Sequence, residues 1–179
     1  MKRAYRVVAA ALLAVSLAVS AGHCSDIDLR AMSHSKQPIK VFVKDFSNES
    51  GQAQVSAADF KKEVEKAFVG RKSVSFVLAK SPQESDVVVS AVIRGYKYMD
   101  KDPIKPSINV IMALDAVTIE NYAELSADFT VTDSKTGSVL WQENVESYVK
   151  KTMTPAESLP MVYNKLARHF VAKAFGKGD

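Results

Sequence analysis

From Ala123 to Val131 the apolar residues Ala123, Leu125, Ala127, Phe129 and Val131 occupy alternate positions, with Glu124, Ser126, Asp128 and Thr130 between them. A period of two is that of a strand with one face buried and the other in water. The polar run Asp133-Ser-Lys-Thr-Gly137 follows, its glycine free to take a positive φ, and Val139, Trp141, Val145 and Val149 resume an extended pattern. This predicts a hairpin. Two strands are marginal alone in water, so the pair requires further strands beside it or a helix across its apolar face.

The rest of the chain supplies both. Ile39 to Phe46 alternates as a first strand and stops at the turn formers Ser47 to Gly51. A helix is predicted from an N-cap at Ser56, with Asp59 three residues on, through Phe60, Val64, Ala67 and Phe68 to Gly70. Lys61, Lys62, Glu63 and Glu65 fall on its wet side. Ser73 to Ala79 reads as a short strand, Pro82 to Asp86 as a loop, and the β-branched stretch Val87 to Tyr98 as a central strand in which Gly95 marks a bulge or bend. A second helix is signalled by Thr154 as N-cap, Pro155 at the first position and Glu157 reaching back. Pro160 predicts a short first turn, with the main helix from about Met161 burying Val162, Leu166, Phe170 and Ala174 and ending at Gly176.

Two helices with one apolar stripe each are buried by packing on one face of a sheet. The expected fold is therefore α+β, a two-layer sandwich of two helices on one face of a mixed four- to five-stranded sheet. Thr130, Thr132, Glu143 and Ser147 predict a mostly wet opposite face. Between two strands lies a polar, proline-broken loop followed by the apolar run Ile108 to Ile119. Two readings fit that run. It is a further strand or short covering helix, or it is an exposed apolar loop in which Ile108, Val110, Ile111, Leu114 and Val117 contact a partner or lipid.

The N-terminus carries an address. Met1 to Arg6 is positive, Val7 to Val19 is an apolar core of signal-peptide length, and small residues follow. Cleavage after Ala21 would release a soluble protein beginning at Gly22. Alternatively, Ala21-Gly22-His23-Cys24 resembles a lipobox, in which Cys24 becomes the acylated N-terminus, carrying a diacylglyceryl group and palmitate-type chains. His23 departs from the Gly or Ala usual there. Several acyl chains would anchor the protein stably, and Ser25 favours the outer membrane under the enterobacterial sorting rule. Three parts are thus expected: a signal peptide over 1–24, a tether over 25–38 and a single domain over 39–179.

Composition changes little. Of the 24 Lys and Arg residues three, Lys2, Arg3 and Arg6, lie in the leader, which leaves 21 bases against 20 acids. These alternate in sign where a nucleic-acid footprint would cluster its bases, so no nucleic acid is expected as a partner. Lys97, Lys101 and Lys105 gather at one strand end as candidate contacts to an anionic glycolipid. His34 has no second ligand at metal spacing, His169 has no nucleophile motif beside it, and no pair of acids has an assignable acid and base role. No catalytic residue, cofactor or metal is expected.

An N-terminal strand ending Asp45-Phe46-Ser47-Asn48, a helix, the entry Ser85-Asp86-Val87-Val88-Val89 to a strand ending Gly95-Tyr96-Lys97-Tyr98, and Tyr122 with the Val131 to Trp141 hairpin together resemble the LptE family of outer-membrane lipoproteins. The likeness covers most of Ile39 to Phe175, and the hairpin is shared with relatives of CsgG, LpoB and the N-terminal domain of TolB. The resemblance implies a tethered, non-enzymatic protein that plugs and helps assemble the lipopolysaccharide-inserting barrel and touches lipopolysaccharide. The function expected is an assembly or adaptor subunit at the periplasmic face of the outer membrane, with a membrane and a protein as partners. The alternative is a soluble periplasmic binding protein gripping a small apolar or glycolipid ligand between helix and sheet, in a pocket lined by Phe68 and Phe170.

Overall fold

The computed structural model describes Leu29, Met32 and residues 37–99, 121–151 and 153–176. The chain forms strands β1 (Ile39–Val43) and β2 (Ser47–Asn48), helix α1 (Ala57–Val69), strands β3 (Phe76–Leu78), β4 (Val87–Met99), β5 (Asn121–Asp133) and β6 (Val139–Lys151), and helix α2 (Pro155–Ala174). The strands make one mixed six-stranded sheet in the order β3-β1-β4-β5-β6, with β2 paired to β4 beyond the end of β1. β1 is parallel to β3 and β4, whereas β4, β5 and β6 form an antiparallel meander. Both helices lie on one face, as the two apolar stripes required.

Local chemistry accounts for the element ends. The Ser56 hydroxyl accepts from the Asp59 amide at 3.1 Å and starts α1, and Phe60, Val64 and Phe68 bury its stripe. At the hairpin turn the Asp133 carboxylate accepts the amides of Lys135 and Thr136 at 2.9 and 2.7 Å, and Gly137 takes φ +71°. At α2 the Thr154 hydroxyl accepts from the Glu157 amide while the Glu157 carboxylate accepts from the Thr154 amide at 2.8 Å, a reciprocal cap.

Two of the boundaries differ from expectation. Ser47–Asn48, read as turn, is strand β2, because its backbone finds an unused stretch of β4 at Val92 and Ile93. α2 does not restart after Pro160. It runs unbroken from Pro155 because the reciprocal cap and Ser158, whose hydroxyl lies 2.7 Å from that of Tyr96, hold the first turn in line. Pro160 leaves one backbone hydrogen bond unmade inside a helix that stays continuous.

Gly95 marks a bulge, as expected. Ile93 opposes Ala127 while Gly95 opposes Ser126, and the alternation changes phase across it. Val87, Val89, Ala91 and Ile93 face the helices before the bulge, Tyr96 after it. The shift carries Tyr96 to Ser158 and lets the Tyr98 hydroxyl donate to the Met153 carbonyl at 2.7 Å.

The core between helices and sheet is a line of aromatic rings. Phe46 packs on Phe60, Phe60 on Phe129, and Phe129 lies flat on Phe170 with centroids 4.0 Å apart and planes 3° from parallel. Phe170 continues to Phe68 and Trp141, and Phe68 to Phe76 and Phe175. Leu29 is also in this core, only 4% exposed, and Met32 packs against it. Two residues of the stretch 25–38, read as a tether, therefore pack with the domain.

Several carboxylates are held below their ordinary values by their partners: Asp133 by the Thr136 and Lys135 amides, Glu157 by Thr154, Asp128 by Asn144 and Arg94, and Asp59 by Lys62 and Ser56. Such a group binds its proton less readily folded than unfolded, so its stabilisation is present above the ordinary value and lost as pH falls through the folded one. Thermal melts are expected to give a constant midpoint above about pH 5 and a falling one below about pH 4, where unfolded carboxylates begin to protonate. A midpoint that rose on acidification would contradict these pairings.

Candidate functional site

Neither α1 nor α2 covers the second face of the sheet, which is the uncovered face among the described residues. Register places Phe42, Val88, Thr132 and Val139 in one row across four strands of that face. Val88 is 7% exposed there and Val139 47%. Toward the other end the face becomes charged. Arg94 Nε donates to Asp128 at 2.5 Å and its Nη1 to Glu49, while Asn144 Nδ2 donates to the other Asp128 oxygen at 2.7 Å. Further along, the Tyr122 and Tyr148 rings stack at 5.5 Å, and the Tyr122 phenol, donating to Glu124, is pushed up to about 12. The uncovered face thus offers an apolar strip next to a polar, solvated network.

Thr130 and Thr132 lie on this face as expected, but Glu143 and Ser147 do not. They oppose Phe129 and Leu125, so both point toward the helices. Ser147 is buried, and Glu143 sits at the rim in an ion pair with Lys173. Val145 and Val149 stand two residues either side of Ser147 and so share its face, which already carried that phase.

Of the residues singled out from sequence, Lys97 lies on the uncovered face opposite Glu124. Cys24, His34, Lys101, Lys105, Ile108, Val110, Ile111, Leu114 and Val117 lie outside the described residues. The pocket expected at Phe68 and Phe170 is filled, because both side chains have no exposure and are packed ring on ring. His169 is exposed on α2 with Nδ1 3.0 Å from the Glu146 carbonyl. Among the described residues no group of three or more His, Cys, Asp or Glu is arranged to hold a metal ion.

Sequence reasoning missed a cleft on the helical layer. Phe60 meets Tyr163 and Phe68 meets Phe170 and Phe175, so α1 and α2 run in the same direction and their C-terminal ends come together. The cleft there has a volume of about 540 Å³ and is lined by Lys66, Arg71, Lys72 and Arg168, with Ser73 and Asn164 among its polar groups. Arg71 is fixed in place. Its Nη1 donates to the Val171 carbonyl at 2.8 Å, its Nη2 to the Gly176 carbonyl and its Nε to Ser73 at 3.2 Å. Glu63 accepts from Asn164 at 3.0 Å and from Lys66 at 2.6 Å, and these two donors hold it below its ordinary value. Arg71-Lys72 just after a helix end was the visible signal, but only the packing of α2 brings Arg168 to it.

Neither a protein-family model nor a curated protein sequence matches the chain. Solved structures do. The chain is similar to the hypothetical protein CT253 from Chlamydia trachomatis, with 13% identity, 76% of this chain and 95% of that one covered, and a TM-score of 0.52. It is similar to PelC from Paraburkholderia phytofirmans, solved as a dodecamer, with 13% identity, 78% and 90% covered, and a TM-score of 0.51. The LpoB C-terminal domain from Salmonella enterica stands further off, with 9% identity, 67% and 92% covered, and a TM-score of 0.39, too low to carry weight. At these identities the likeness is one of fold, and it does not single out the LptE family.

Proposed function

We propose that this chain is a non-enzymatic subunit of a bacterial envelope assembly, anchored to the outer membrane through acylated Cys24 and docking a protein partner on the uncovered sheet face. The observation that carries the reading is the burial of Leu29, together with a signal-peptide-like leader that ends at the only cysteine of the chain. Leu29 is the fifth residue after Cys24, a reach of at most about 18 Å, whereas a tether free as far as Ile39 would reach at most about 54 Å. An acylated Cys24 would then hold the domain close against the bilayer, with the uncovered face available to a neighbour. That PelC is a dodecamer supports the assembly part of the reading. Lipopolysaccharide transport is the assembly that the LptE resemblance suggests. The filled space at Phe68 and Phe170 favours this reading over a soluble binding protein with its ligand held there.

Intact mass of the mature protein and fractionation of Cys24→Ser test the anchor. The expected result is an acylated Cys24 in the membrane fraction and release of the variant into the soluble periplasm. A free Gly22 N-terminus in the soluble fraction would overturn it. For the partner, crosslinking from Val139→Cys on the uncovered face should capture a second polypeptide; capture only from substitutions on the helical layer would reverse the assignment of faces.

A further inference from the structure

The cleft at the joined helix ends carries more positive charge than the fold requires. Cations at helix C-termini are ordinarily explained by the negative end of the helix dipole, worth about half a charge per helix. Two such ends meet here, and Arg71 is spent on that of α2 through the Val171 and Gly176 carbonyls. One carboxylate, Glu63, pairs with Lys66. Against four cations, the two half-charges and this carboxylate leave about two positive charges uncompensated among the described residues. Lys72 and Arg168 supply them, both exposed at the rim. Among the described residues no carboxylate lines the cleft, whereas a second cleft of the helical layer, at Asp45, Lys61, Lys62 and Glu65, is charge-balanced.

We propose that this cleft binds a phosphate-bearing group, seated between the Lys72 and Arg168 side chains with Asn164 and Ser73 as flanking hydrogen-bond partners. A guanidinium matches phosphate in a two-point contact, and an ammonium adds a point charge beside it. Ala67, Gly70 and Ala172 keep the wall between the cations low, which leaves space for a phosphate with an attached sugar or glycerol. The inference does not depend on the lipid anchor. The phosphate belongs either to a lipid headgroup or to a free soluble ester, and the cleft chemistry is the same for both.

The test uses the full mature chain carrying Cys24→Ser, so that no acyl chain contributes to binding. Its probes are glycerol phosphate in solution and phosphatidylcholine vesicles with and without phosphatidic acid. Binding to either phosphate-bearing probe is expected, and it should weaken as salt screens the contact. The double charge reversal Lys72→Glu with Arg168→Glu should lower affinity by about a hundredfold, taking roughly tenfold for each charge-assisted contact. Lys40→Glu with Lys44→Glu on the sheet side changes net charge equally and should leave binding nearly intact. All four side chains are exposed, so thermal midpoints close to the parent would confirm that every variant is folded. Binding only to phosphatidic acid vesicles would identify a headgroup, and binding to both probes a phosphate recognised wherever it is displayed. Absence of binding to both, or equal losses in the two double variants, would overturn the site.

Discussion

Phe170→Ala is expected to lower stability by about 4 kcal/mol, the middle of the range for emptying a buried aromatic position. Phe170 has no exposure, lies flat on Phe129, and also meets Phe68, Trp141 and Phe175. Its ring joins α2 to the hairpin strands and to α1 at one point. The surrounding rings are rigid and held by backbone on two layers, so they collapse poorly into the space left behind. For a domain of this size a thermal midpoint about 12 °C lower follows. Phe170→Leu, which retains much of the volume, should recover more than half of the loss. An alanine variant within about 3 °C of the parent would mean that the ring line is not the core of the domain.

The second large effect is at the other end of the chain. Leu29→Ala is expected to cost about 2 kcal/mol, the low end for a buried leucine, because the segment before β1 can detach as well as leave a cavity. Melting should fall by about 6 °C. Limited proteolysis gives the sharper readout. Cleavage on the N-terminal side of Ile39 should be faster in the variant than in the parent, since loss of the Leu29 contact frees backbone for the protease. A protein starting at Gln37 should melt like the variant rather than like the parent. If that truncated form were as stable as the full chain, residues 25–38 would be a plain tether, and the short reach proposed for Cys24 would go with it.

Features legible from the sequence were those set within a few residues. The hairpin strand, the Asp133 to Gly137 turn, both helix N-caps and the Gly95 bulge follow from period, capping chemistry and glycine placement, each of which acts locally. The two-layer arrangement followed as well, because two one-striped helices and a half-wet hairpin admit few other packings. Pro160 shows the limit of local rules. Its cost is real, but a cap on one side and a tertiary contact through Ser158 on the other outweigh it.

By itself the sequence determined the class of fold, the order of the main strands and helices and the identity of most core residues. Tertiary structure alone decided that Leu29 belongs to the core, that Ser47–Asn48 joins the sheet, that the space at Phe68 and Phe170 is filled, and that Lys66, Arg71, Lys72 and Arg168 share one cleft. The physical reason is the same in each case. Burial, strand pairing across Val92 and Ile93, ring stacking and the meeting of two helix ends bring together groups far apart in the chain. Their energies depend on distances in space that no local period records.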